Sequence, residues 1–154
     1  MIKLIVAMTG ERLIGNGNKL PWKIPAEFKH FKETTMGHAL LFGKNTFLGL
    51  PKKLPGRKHY VLSSNVVEGA DEMIHNNEEL MELFAKYKDS EEILFIAGGK
   101  SVYEKYAEYA DEWIISYIWG VYTGNVYLDI KPSNYSKEGV VTHDNFDVVT
   151  YRKL

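Results

Sequence analysis

Ile2-Lys3-Leu4-Ile5-Val6-Ala7-Met8 is an almost unbroken apolar run in which Ile2, Ile5 and Val6 are β-branched. An alternating pattern would leave one face for water. This run leaves neither, so it predicts a central strand of a parallel sheet with both faces covered. Outward from it, strands over 38–42, 59–64, 72–75 and 92–97 alternate with helices over 25–36, 77–87 and 101–109. Asn76 or Asn77 caps the second helix, and Leu80, Met81, Leu83, Phe84 and Tyr87 form its apolar face. After Glu112 only strands are expected, over 113–119, 125–128, 140–143 and 146–152, and such a tail is best housed as antiparallel edge strands. Residues 9–23 are rich in Gly and Asn and without period, as in a working loop that closes over a ligand.

The chain has 154 residues, 45% of them hydrophobic, and a net charge of -1. That suits one compact domain over 1–154 and argues against a nucleic-acid partner. No apolar run reaches membrane-span length, and Met1 leads directly into a strand without a basic leader, so no membrane partner and a cytoplasmic protein are expected. Cysteine is absent, which excludes disulfides and thiol nucleophiles. Histidines 30, 38, 59, 75 and 143 form no close ligand pair, so no bound metal is expected. A G-x-S-x-G elbow is also lacking.

Chemistry enters at Leu20-Pro21-Trp22-Lys23-Ile24-Pro25-Ala26-Glu27-Phe28-Lys29-His30-Phe31. Pro25 suits a first helical position, which places Glu27 in the first turn beside an apolar stripe of Phe28, Phe31 and Thr35. The helix dipole alone accounts for an acid there. A partly desolvated carboxylate, however, has a raised pKa and can handle a proton. Two strand-to-helix junctions, Gly43-Lys44-Asn45-Thr46 and Gly98-Gly99, offer outward N–H groups to phosphate. Neither is a P-loop or G-x-G-x-x-G, but together they suit a two-phosphate cofactor. Ser63 and Ser64 end a third strand, and Arg57, one of few arginines, follows the Leu54-Pro55-Gly56 turn, where it can take a carboxylate with two parallel hydrogen bonds.

In order, Ile5-Val6-Ala7, Leu13-Ile14-Gly15, Leu20-Pro21-Trp22, Pro25-Ala26-Glu27-Phe28, Phe31-Lys32, Gly43-Lys44-Asn45-Thr46, Leu54-Pro55-Gly56-Arg57, Leu62-Ser63-Ser64 and Gly98-Gly99-Lys100-Ser101-Val102-Tyr103 resemble the dihydrofolate reductase family. The resemblance implies an α/β fold: a mainly parallel central sheet of about eight strands with an antiparallel C-terminal strand, flanked by about four helices. It also implies reduction of 7,8-dihydrofolate to tetrahydrofolate by NADPH, with hydride going to C6 and a proton to N5. By position, Glu27, Trp22, Leu20 and Ser116 are the catalytic group, Glu27 holding N3 and the 2-amino group and Ser116 standing where Thr is usual. Ile5, Ala7, Phe28, Phe31, Leu50, Leu54 and Ala97 then line the substrate pocket, and Arg57 binds the glutamate tail.

For NADPH the resemblance points to Ala7, Ile14, Gly15, Asn18, Gly43, Lys44, Asn45, Thr46, Leu62, Ser63, Ser64, Gly98, Gly99, Ser101, Val102 and Tyr103. Lys44 replaces a frequent Arg at the 2′-phosphate, Ala97 a frequent Ile, and Asn125 a frequent Asp in the loop supporting the closing segment. A monomer open to antifolate inhibitors is the family expectation. The rivals are a riboflavin-pathway reductase of the same fold, which does not call for Trp22, Glu27 and Arg57 together, and a noncatalytic nucleotide-binding module.

Overall fold

β1 (Ile2–Thr9) takes the middle of the sheet, as its apolar run requires, and runs parallel to both neighbours, β6 (Leu94–Ile96) and β7 (Glu112–Ile118). The computed structural model describes residues 1–17 and 19–154. With β3 (Ala39–Gly43), β4 (Lys58–Leu62), β5 (Glu72–Ile74), β9 (Tyr135–Thr142) and β10 (Phe146–Lys153), these form an eight-stranded sheet in the order β5-β4-β3-β6-β1-β7-β10-β9. β10 is antiparallel to both β7 and β9, while the other pairings are parallel. The expected α/β architecture is therefore present.

Alternate residues of β1 enter opposite core layers. Leu4, Val6 and Met8 meet Leu80, Leu83, Phe84 and Tyr87 of α3 (Asn77–Lys88) and Val102, Tyr103 and Tyr106 of α4 (Lys100–Tyr106). Ile5 faces the other layer, where Phe31 of α1 (Pro25–Thr35), Phe47 of α2 (Lys44–Leu48), Trp22 and Leu54 collect. α3 starts where Asn76 Oδ1 accepts the Glu79 amide at 2.9 Å. No helix among the described residues is long and apolar enough to cross a membrane.

The fold departs from the sequence reading in four places. β7 is not an antiparallel edge strand but an interior parallel one, because α4 carries the chain across the sheet and returns it in the same direction. β9 begins at Tyr135, ahead of the expected 140–143, through Lys137 and Glu138. It is an edge strand and needs no apolar alternation there. Finally, the 9–23 loop contains β2 (Leu13–Gly15), which pairs with β8 (Val126–Tyr127) in a separate two-stranded sheet. The last predicted helix also tightens into a 3-10 turn over Ala107–Tyr109.

Candidate active site

Ile24 precedes α1 in an extended conformation and makes no side-chain cap, so the helix starts on Pro25. Glu27, Phe31 and Thr35 follow at four-residue spacing along its inner line. Glu27 and Thr35 are buried and Phe31 is half-buried. Phe28, expected beside them, is rotated about 100° away by its position in the helix. It is 50% exposed, with Lys32 Nζ 5.2 Å from the centre of its ring.

Glu27 is 8% exposed. Burial raises its pKa, and a hydrogen bond from the Ser116 hydroxyl opposes this with the smaller influence. Ser116 is itself 1% exposed and stands opposite Ala7 in the β1–β7 ladder. The Tyr103 phenol is held well above its ordinary pKa, first by burial and then by the nearby Glu27 charge. Its hydroxyl donates to the Ile5 carbonyl at 2.8 Å. An acid in a low-dielectric chamber, without a cationic partner among the described residues, is pushed toward its protonated form.

Trp22 is buried and packs edge-to-face on Tyr122 with centroids 5.9 Å apart. Its Nε1 is buried and finds no acceptor among the described residues. Such a donor invites a water or a ligand atom. Trp22 shares one core layer with Ile5, Leu54 and Ala97 and with the half-buried Ala7, Phe31 and Leu50, so seven predicted residues are brought together. Leu20 is not among them and is 57% exposed.

Arg57 is 7% exposed and burial lowers its pKa. Its Nε donates to Thr35 Oγ1 at 2.9 Å, Nη1 to the Pro55 carbonyl and Nη2 to the Lys32 carbonyl. The guanidinium is thus stitched between the end of α1 and the Leu54–Arg57 turn. Three of its five N–H groups are used, which leaves one on each terminal nitrogen for the two oxygens of a carboxylate.

The two phosphate junctions meet. Gly43 N–H donates to the Gly98 carbonyl at 2.7 Å, and neither α2 nor α4 has a side-chain cap. Gly98 has φ +130°, a conformation that favours glycine. A Cβ on Gly99 would lie 2.5 Å from Thr46 Oγ1, and one on Gly98 3.2 Å from Thr46 Cγ2. The first bond of α4 runs from Tyr103 N–H to Gly99 O, so the N–H groups of Lys100, Ser101 and Val102 precede it and remain for a ligand. This paired donor set fits a cofactor with two phosphates.

Around that cradle, Lys44 and Thr46 are half-exposed, and Asn45, Ser64 and Ser101 are exposed. The half-buried Ser63 uses its Oγ to accept the Asn65 amide at 3.2 Å. Val102 and Tyr103 are core residues, and Ile14 and Leu62 pack against the same layer. Their side chains hold the cradle from behind. Gly15 is buried in β2, where its carbonyl accepts the Asn125 amide at 3.1 Å, while Asn125 Oδ1 accepts Gly17 N–H at 2.8 Å. Asn18 lies outside the described residues.

Sequence reasoning did not single out Tyr122 against Trp22, or Thr35 as an acceptor for Arg57. Thr35 carried a signal, lying two helical steps of four from Glu27 on a buried line.

The family model described as dihydrofolate reductase matches residues 1–152. The chain is similar to the dihydrofolate reductase of Mycoplasma pneumoniae, at 37% identity over 162 residues covering 100% of this chain and 99% of the relative. The Mycoplasma genitalium dihydrofolate reductase is 39% identical over 159 residues, covering 99% and 98%. Among solved structures, dihydrofolate reductase from Enterococcus faecalis complexed with NADP(H) and RAB-propyl superposes with a TM-score of 0.87 at 29% identity, covering 99% of this chain and 96% of that one.

Proposed function

The chain belongs to the dihydrofolate reductase family, and we propose that the Glu27 chamber is where it reduces 7,8-dihydrofolate to tetrahydrofolate with NADPH. The observation that carries this reading is Glu27 itself, a buried acid with a raised pKa, a Ser116 partner and no cation beside it among the described residues.

Glu27 orients the pterin through N3 and the 2-amino group and favours protonation at N5. The carboxylate does not reach N5, so the proton travels through water. The orphaned Trp22 Nε1 is placed to hold such a water. Ile5, Ala7, Phe31, Leu50, Leu54 and Ala97 exclude bulk solvent, which strengthens the electrostatics of the site. Arg57 binds the glutamate tail with its two remaining N–H groups. Leu20 and Phe28, both exposed here, serve as outer walls that close on the ligand.

Gly43, Lys44, Asn45, Thr46, Gly98, Gly99 and Ser101 hold NADPH, chiefly through backbone N–H groups, and Lys44 with Ser64 meets the 2′-phosphate. When bound, NADPH supplies the hydride for C6. The chain works as one domain, a cytoplasmic monomer whose substrate cleft also accepts antifolate inhibitors. Purified protein mixed with NADPH and dihydrofolate should deplete the nicotinamide absorbance band. Absence of turnover at every pH would overturn the reading, and turnover of a riboflavin-pathway pyrimidine instead would replace it.

A further inference from the structure

His59 is fully buried at 0% exposure, yet both ring nitrogens are engaged. Nδ1 lies 3.1 Å from the Arg57 carbonyl, and Nε2 lies 3.3 Å from the Leu54 amide. A carbonyl can only accept and an amide N–H can only donate. The ring is therefore neutral, with its hydrogen on Nδ1 and its lone pair on Nε2.

From this we infer that His59 is a positioning residue for the carboxylate clamp, a reading that rests on Arg57 being that clamp. Its ring joins both ends of the Leu54-Pro55-Gly56-Arg57 turn and so fixes where the guanidinium stands. Phe42 stacks on the ring at 6.0 Å and 20°, and Phe47 meets it edge-on at 5.8 Å, which denies it other rotamers. On the remaining side Asp71 Oδ2 accepts the His59 backbone N–H at 2.7 Å and lies 3.4 Å from Nδ1, while Lys53 neutralises Asp71. The Pro55 carbonyl inside the turn binds Arg57 Nη1, so a shift of the turn moves the guanidinium with it. Gly37 N–H also holds the Gly56 carbonyl at 3.1 Å, tying the turn to the end of α1.

The test compares kcat/KM on dihydrofolate with kcat/KM on a dihydropterin lacking the benzoylglutamate tail. His59→Leu keeps the bulk and removes both hydrogen bonds. It should lower the ratio of the two values roughly tenfold through KM for dihydrofolate, with kcat on dihydrofolate within about twofold. Arg57→Ala, measured in parallel, should lower the ratio further. If Arg57→Ala lowers it and His59→Leu does not, the clamp stands and the positioning role is overturned. If Arg57→Ala leaves the ratio unchanged, the clamp reading fails and this inference falls with it. Should His59→Leu not fold, His59→Gln, which keeps an acceptor for Leu54, replaces it with a smaller expected loss. ¹⁵N NMR of the native ring provides a separate readout: a Nδ1–H tautomer at neutral pH is expected, and an Nε2–H or charged ring overturns the inference.

Discussion

The Glu27 chamber and the Gly43–Gly98 cradle lie on one sheet but are built from opposite materials. The chamber is made of side chains: an acid, a serine, an indole and aliphatic walls, each selected by what it carries. The cradle is made of backbone, and its defining positions are those where a side chain is missing. Substitution in the chamber should therefore change chemistry while leaving the fold alone. Substitution in the cradle should disturb both together.

The largest expected effect is that of Glu27→Gln, which should cut kcat near neutral pH by about a hundredfold or more, within the range for removing acid–base help. KM for NADPH should hardly change in the same steady-state assay, and a comparable rise there would break the contrast between the two regions. This substitution should also reveal a stability cost. Because the folded-state pKa of Glu27 is raised, between the ordinary carboxylate value and the raised one the folded protein keeps a proton that the unfolded chain has released, and stability is lost as pH rises across that window. Urea unfolding should accordingly find Glu27→Gln more stable than wild type above the window and equal to it in acid.

Next in size, Arg57→Ala should raise KM for dihydrofolate by roughly tenfold to a hundredfold, the value of charge-assisted hydrogen bonds, with kcat nearly retained. A fall in kcat of the same size would place Arg57 in the chemical step. Gly99→Ala sharpens the other side of the comparison. Its Cβ would stand 2.5 Å from Thr46 Oγ1, so it should both weaken NADPH binding and lower unfolding stability by about 1–3 kcal/mol, as overpacking does. Weakened binding at full stability would mean that the cradle yields locally. The smallest effect belongs to Ser116→Ala, which removes the bond that lowers the Glu27 pKa and should move the pH–rate profile to higher pH. A shift to lower pH would show that Ser116 does not favour the charged form.

Legibility in the sequence followed the same division. β1 and α3 were readable because burial on both faces and an Asn cap leave marks in residue type. The start of β9 and the strand β2 were not, since an edge strand tolerates Lys137 and Glu138 and a three-residue strand has too few positions to show a period. In the site, the residue types of Glu27, Trp22 and Arg57 pointed to chemistry. Their fine placement did not follow from type. Phe28 faces outward because of helix phase, and Arg57 spends two donors on the Pro55 and Lys32 carbonyls, a group that every residue possesses and that residue type cannot reveal.

The hydrogen bond from Gly43 to Gly98 joins two strand ends that are far apart in the chain. Opening either end breaks the same bond, so a nucleotide gripping both raises the free energy of that local opening by its binding free energy. The Gly43 amide thereby becomes a gauge of occupancy. Its hydrogen exchange should slow in proportion to NADPH saturation, whereas a ligand confined to the Glu27 chamber should leave its rate largely alone.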